Sequence, residues 1–233
     1  LSDHGDTCGE HGVFGKQTFY EGSARIPLII TGDGIKKNYR SEEPVSIMDI
    51  GPTLCQLTGA ITPPEQDGIS LGSFILDKEG YKLSFLKNSE DKTQKNLNRY
   101  VISELMETTD KDRNVVLGLK YFIQNKKINY VPGRMVRKGD WKYITYIGFE
   151  DEDLLFNIKE DPNESNNVLK KNPELSSDLR KLVYKDWNYK EIINDYKLGL
   201  KHKKILLKWG KEVEPEEEDR WKIPVKARKI PKN

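Results

Sequence analysis

Glycines at positions 5, 9, 12 and 15, with Asp3-His4 before them and Lys16 after them, constrain this chain more than any other feature. Glycine is used where a backbone must turn tightly or approach another group closely. The segment therefore reads as a ligand loop. Arg25-Ile26-Pro27-Leu28-Ile29-Ile30-Thr31 follows as an almost continuous apolar run. Such a run predicts a short strand covered on both faces, as in an α/β sheet. Loops at the ends of a rigid sheet are where α/β proteins commonly carry ligand residues.

The residue types suggest a chemistry. A carboxylate and an imidazole on adjacent residues can reach one cation if the backbone kinks between them. The carboxylate of Asp3 suits Ca²⁺ or Mg²⁺, and the imidazole of His4 widens the choice toward Mn²⁺ or Zn²⁺. Lys16 adds a second positive charge. Together they suit an anionic group such as sulfate or phosphate, whose oxygens gain charge in the transition state. A second reading stays open on residue types alone: an Asx turn at Asp3, a surface His4 and a solvated Lys16.

Order and spacing then carry a resemblance. Ser2-Asp3-His4-Gly5-Asp6, Gly9-Glu10-His11-Gly12, Gly15-Lys16, Phe19-Tyr20-Glu21 and Arg25-Ile26-Pro27-Leu28-Ile29-Ile30 together resemble the C-terminal half of the sulfatase family, within the alkaline-phosphatase superfamily. The resemblance implies a metal-ligand role for Asp3, usually toward calcium, and a metal-facing role for His4, where many members have Asn. It implies that Lys16 contacts the sulfate of the substrate. His11 lies in the matched string without a firm family role and is carried as a rim, substrate-contacting or structural histidine.

The family's nucleophile is a formylglycine made from Cys or Ser in Cys/Ser-x-Pro/Ala-x-Arg. Cys8 is followed by Gly9-Glu10-His11-Gly12 and Cys55 by Gln56-Leu57-Thr58-Gly59, and neither fits. The resemblance thus implies a formylglycine, and a first pair of metal-binding aspartates, upstream of Asp3. On this reading the chain is a piece of a longer protein and inactive by itself. Cys8 sits in the loop and is either a ligand, a reactive thiol or a bystander, while Cys55 reads as a small buried apolar residue on a helix.

Composition narrows the classes. The 233 residues carry 39 basic and 37 acidic side chains, a formal net charge of +2, which does not call for nucleic acid. No apolar run is long enough to cross a bilayer. Hydrophobic residues make up 36% and charged residues 33% of the chain, which suggests much surface for its length. Two cysteines are too few for a disulfide framework.

Further along, Asp49 reads as an N-cap, Pro52 as a first-turn residue and Gly59 as the stop of a helix with Ile50, Thr53, Leu54 and Leu57 on its apolar face. That segment and Pro63 to Leu71, ending in Asp67-Gly68-Ile69-Ser70-Leu71, both fit the sulfatase pattern. Lys78 to Asn98 reads as a charged loop or short helix. Tyr100 to Leu105 is a strand candidate, and Glu104 to Asp112 either lines a specificity pocket or forms a solvated loop. Asn114 to Val131 has no clear assignment. Arg134 to Tyr146 predicts a β-hairpin around Gly139, and Asp153 to Ile158 a third strand closed by the turn Asp161-Pro162-Asn163-Glu164. Asn166 and Asn167 end a pattern like the family's Asp-Pro-x-Glu-x-x-Asn. Arg134, Arg137 and Lys142 read as a solvated face or, less simply, an anion patch. Pro173 to Trp187 predicts an amphipathic helix over the small sheet, Tyr189 to Trp209 continues at helical spacing, and the tail from Lys211 is charged.

The expected architecture is α/β: the C-terminal part of an alkaline-phosphatase-like sheet sandwich, with a small antiparallel sheet subdomain packed with a helix. Its divisions are 1–75 (part of the main core with the metal and sulfate loop), 76–132 (a connecting region), 133–200 (the small β subdomain) and 201–233 (a charged tail). The expected parent is a sulfatase acting on a sulfated small molecule or carbohydrate, with Asp3 and His4 holding a divalent cation, Lys16 on the sulfate, and His11 and Glu104 as substrate contacts. Two rivals remain: a phosphonate or phosphate ester hydrolase of the same superfamily, and a noncatalytic binding module that retains the loop.

Overall fold

Strands at positions 100–108, 130–138, 141–146 and 154–157 build the sheet on which the N-terminal loop rests. In the computed structural model, which describes residues 1–77, 99–108 and 130–213, Tyr100–Thr108 is β1, Tyr130–Lys138 β2, Trp141–Tyr146 β3 and Leu154–Asn157 β4. They form an antiparallel meander in the order β1-β2-β3-β4. The hairpin turns at Gly139-Asp140, as expected, and Val136 faces Tyr143 across it. Strand β2 begins at Tyr130, within the stretch that sequence left unassigned.

Successive strand residues point to opposite faces, and here both faces are covered. On one, Val136, Tyr143 and Leu155 pack against Leu179 and Val183 of the helix α4, which runs Pro173–Tyr184 with proline in its first turn. On the other, Met135, Ile144 and Phe156 pack against Phe19, with Tyr20 and Ala24 at the margin. The N-terminal segment is thus the second cover of the sheet. This corrects the expectation of a solvated basic face. Arg134 lies on the helix side, bonded to the carbonyls of Val183 (3.0 Å) and Lys185 (2.8 Å). Lys142 lies on the other side and is fully buried. Strand alternation looks the same whether a face meets water or a distant segment.

Residues 46–77 fold around Asp49. Ser46 caps a turn at Ile47–Asp49 that runs into α2, Ile50–Thr58. Asp49 itself has helical backbone angles, so the cap is Ser46, which is a correction. The Asp49 carboxylate accepts the amides of Ser46 (2.7 Å) and Ile69 (2.9 Å) and pairs with Arg99. Gly59 ends α2 with left-handed angles, as expected. The buried face of α2 is Pro52 and Thr53, where Thr53 receives the amide of Leu71 (2.8 Å); Leu54 is exposed and Cys55 only half-buried. A short helix α3, Gly72–Ile75, follows.

The apolar run Arg25–Thr31 is not a strand. No ladder reaches it among the described residues, and Ile29 is 84% exposed. A strand covered on both faces needs neighbours along both edges to satisfy its amides and carbonyls. The described residues offer none, and apolarity alone does not make a sheet.

Residues from Asn188 onward form a separate compact unit. Its described part is one helix, α5, at Tyr189–Val213, with Leu198, Ile205, Leu206 and Trp209 exposed. Among the described residues no helix is long and apolar enough to cross a membrane. The expected features at 78–98 and 109–129, and most of the charged tail, fall outside the described residues.

Candidate active site

The loop closes on itself before it presents Lys16. Asp6 accepts the amides of Cys8 (2.9 Å) and Gly15 (3.3 Å) through one carboxylate oxygen. These bonds hold its carboxyl below the usual carboxylate range. Thr7 is buried: its amide donates to the Gly15 carbonyl (3.0 Å), and its hydroxyl reaches the carbonyls of Val13 (2.6 Å) and Gly15 (3.0 Å). Gly15 has φ 107°, which a side chain would strain. Gly5 must also be glycine, because a Cβ there would lie 2.1 Å from the Gly22 carbonyl oxygen. These constraints return the chain at position 16 to within reach of position 4.

Asp3, His4 and Lys16 meet. His4 Nδ1 lies 2.8 Å from the Gly5 carbonyl oxygen. A carbonyl only accepts, so this nitrogen carries the proton; an ammonium only donates, so Nε2 accepts from Lys16 through its lone pair. The Lys16 ammonium is 2.7 Å from Nε2, and Asp3 Oδ2 is 3.3 Å from it. The Asp3 carboxyl is held low by its own backbone amide first, with smaller contributions from His4 and Lys16. The Lys16 ammonium and the Asp3 carboxylate thus both meet the edge of one imidazole, and all three side chains reach solvent.

This oxygen-plus-imidazole donor set fits a divalent cation. It is a partial shell. Among the described residues no three His, Cys, Asp or Glu side chains converge, whereas Ca²⁺ takes about six to eight oxygen ligands. The set therefore fits the metal as one side of a site, with other ligands required from elsewhere.

The remaining candidates make other contacts. His11 stacks on Tyr20, ring centroids 3.8 Å apart and nearly parallel. Glu104 sits across from Arg134 on the helix side of the sheet, 2.7 Å from its guanidinium. No contact among the described residues joins either one to Asp3, His4 or Lys16. Cys8 is exposed, and its hydrogen bond to Asp6 pushes the thiol up, the opposite of what a thiolate nucleophile needs.

Sequence reasoning missed the residues that hold the loop to the sheet. The Lys142 ammonium bonds the Phe19 carbonyl (2.8 Å), Glu21 (2.6 Å) and Glu164 (2.8 Å). The other oxygen of Glu164 accepts the Glu21 amide (2.6 Å). Burial raises the Glu164 carboxyl above its ordinary value despite Lys142. No local spacing could reveal that Lys142 and Glu164 reach back to Phe19 and Glu21, 123 and 143 residues away. The only hint was Glu164 inside a matched turn motif.

With this geometry established, similarity to known proteins is informative. A family model described as N-sulphoglucosamine sulphohydrolase, C-terminal, matches residues 9–85. Mouse arylsulfatase K is 30% identical over 192 residues, covering 82% of this chain and 30% of that protein. The choline-sulfatase of Rhizobium meliloti (strain 1021) is 32% identical over 170 residues, covering 72% of this chain and 26% of that protein. Among solved structures, a phosphonate monoester hydrolase from Silicibacter pomeroyi superimposes with a TM-score of 0.51 at 25% identity, covering 77% of this chain and 31% of that one. The chain spans about a third of the length of the curated relatives it matches. Matched motif order, a C-terminal family model and these relatives agree: the chain belongs to the sulfatase family, in its C-terminal part.

Proposed function

We propose that this chain forms one wall of the active site of a sulfuric ester hydrolase. The observation that carries the reading is the convergence of Asp3, His4 and Lys16 within 3.3 Å and 2.7 Å contacts. Lys16, which donates to His4 Nε2 here, would release it to the cation, place its ammonium against a sulfate oxygen and stabilise the charge that gathers there in the transition state. His4 is held in one tautomer by the Gly5 carbonyl, which keeps Nε2 aimed into the site. Asp3 and His4 would hold a divalent cation, Ca²⁺ before Mg²⁺ or Mn²⁺. When bound, that ion would polarise a sulfate oxygen as a Lewis acid. The nucleophile, a formylglycine, belongs upstream of Asp3, so the 233-residue chain alone should not turn over substrate.

The substrate class is a sulfated small molecule or carbohydrate, supported by the choline-sulfatase relative and by the N-sulphoglucosamine sulphohydrolase family model. A phosphonate monoester is the second reading, supported by the structural likeness to a hydrolase of that class. The test is steady-state turnover of an aryl sulfate and an aryl phosphonate monoester by the full-length parent and by its Lys16→Ala form. The reading expects sulfate to be preferred and Lys16→Ala to cost about 10²–10³ in kcat. A parent that prefers phosphonate selects the second reading, and an unaffected Lys16→Ala protein removes both.

A further inference from the structure

Ser23 touches both halves of the cluster. It lies on α1, the single turn Glu21–Ala24, and is buried. Its hydroxyl donates to the Lys16 carbonyl at 2.5 Å. Its own carbonyl accepts the amide of Gly5, the residue after His4, at 2.9 Å. One buried residue therefore sets the backbone spacing between the imidazole and the ammonium. Its own place is set by α1, whose amide at Ser23 donates to the Tyr20 carbonyl (2.9 Å).

The turn α1 is tied to the small sheet by ions. Lys142, on β3, holds the Phe19 carbonyl and the Glu21 carboxylate, and Glu164 holds the Glu21 amide. Both Lys142 and Glu164 are buried, and a buried ion pair tolerates little change in geometry. We infer that Ser23 is a positioning residue for Lys16 and His4, and that the small sheet, through Lys142 and Glu164, is part of the apparatus that aligns them. The inference rests on the proposed role of Asp3, His4 and Lys16. It extends that role to a residue that touches neither substrate nor metal. Misplacing a catalytic group by about 1 Å can cost about a hundredfold in rate, so loss of one tether at an exposed lysine should cost less.

The experiment uses the full-length parent and compares Ser23→Ala with Ser176→Ala. Ser176, half-buried, is the control: its hydroxyl reaches the carbonyls of Leu169 (3.1 Å) and Asn172 (2.7 Å) on the far side of the sheet. Both proteins are assayed on an aryl sulfate well below their melting temperatures, beside Lys16→Ala. The expected result is a fall of about tenfold in kcat for Ser23→Ala, with KM changed much less, and parent kinetics for Ser176→Ala. Equal losses in the two serine variants would reduce Ser23 to a packing residue and overturn the inference. A Ser23→Ala enzyme within twofold of the parent, beside an inactive Lys16→Ala, would overturn it and leave the site intact. A Lys16→Ala enzyme as active as the parent would remove the site and the inference together.

Discussion

Residues 3–24 bury Thr7, Val13, Phe19 and Ser23, and otherwise hold shape through hydrogen bonds that cross the loop. The sheet and α4 bury Val136, Tyr143, Ile144, Leu155, Leu179 and Val183 in two apolar clusters. One region is defined by direction and the other by area removed from water. Hydrogen bonds fix angles but contribute modestly to stability, about 1 kcal/mol each net, whereas burying large side chains contributes more and fixes angles less. Lys142 and Glu164 sit where the two meet. They lend a polar loop the rigidity of an apolar core.

That comparison breaks first at Lys142. Replacing it with Met leaves Glu164 buried without its cation, and the expected cost is about 3–5 kcal/mol, read as a lower denaturant midpoint. If the sheet aligns the loop, the folded fraction also loses sulfate-ester turnover. Leu179→Ala sharpens the contrast. It should cost about 3 kcal/mol by opening a cavity under α4, yet kcat per folded molecule should stay at the parent value. Kinetic loss in Leu179→Ala as large as in Lys142→Met would mean the loop follows general stability.

A pH dependence separates the regions further. Burial raises the Asp153 carboxyl, which Tyr143 and Arg180 face from β3 and α4 and Glu150 from the neighbouring turn. Its folded value exceeds its unfolded one, so this stability is present below the ordinary carboxylate range. It is lost as pH rises through the raised value. Asp6 in the loop is shifted the opposite way. Melting temperatures across that range should fall more steeply with rising pH for the parent than for Asp153→Asn, and parallel curves would contradict the assignment. The smallest effect is expected at Glu104→Gln. The carboxylate is 43% exposed beside Arg134, so about 0.5 kcal/mol or less is at stake. A large rise in KM instead would place Glu104 in the substrate site.

The hairpin at Gly139, strand β4 and helix α4 were legible because turn residues and periodicity are local signals. Asp3, His4 and Lys16 stood out through a family resemblance, since residue types alone left a solvated loop open, and the closure that joins them depends on Thr7 and Asp6, which look like ordinary loop residues. Lys142 was not legible, since a basic residue on an alternating strand looks solvated until the chain 123 residues upstream covers it. Arg25–Thr31 misled for the complementary reason. Its apolarity describes what it would pack against, and the described residues supply no partner strand.

On the proposed function, Asp3 and Lys16 act on one reacting group. A double-mutant cycle on the full-length parent tests it, comparing aryl-sulfate kcat/KM for Asp3→Asn, Lys16→Ala and the combined variant. Side chains sharing a site should be non-additive, with a coupling of about 1 kcal/mol or more, whereas losses that add within about 0.5 kcal/mol would show two independent surfaces and contradict the account.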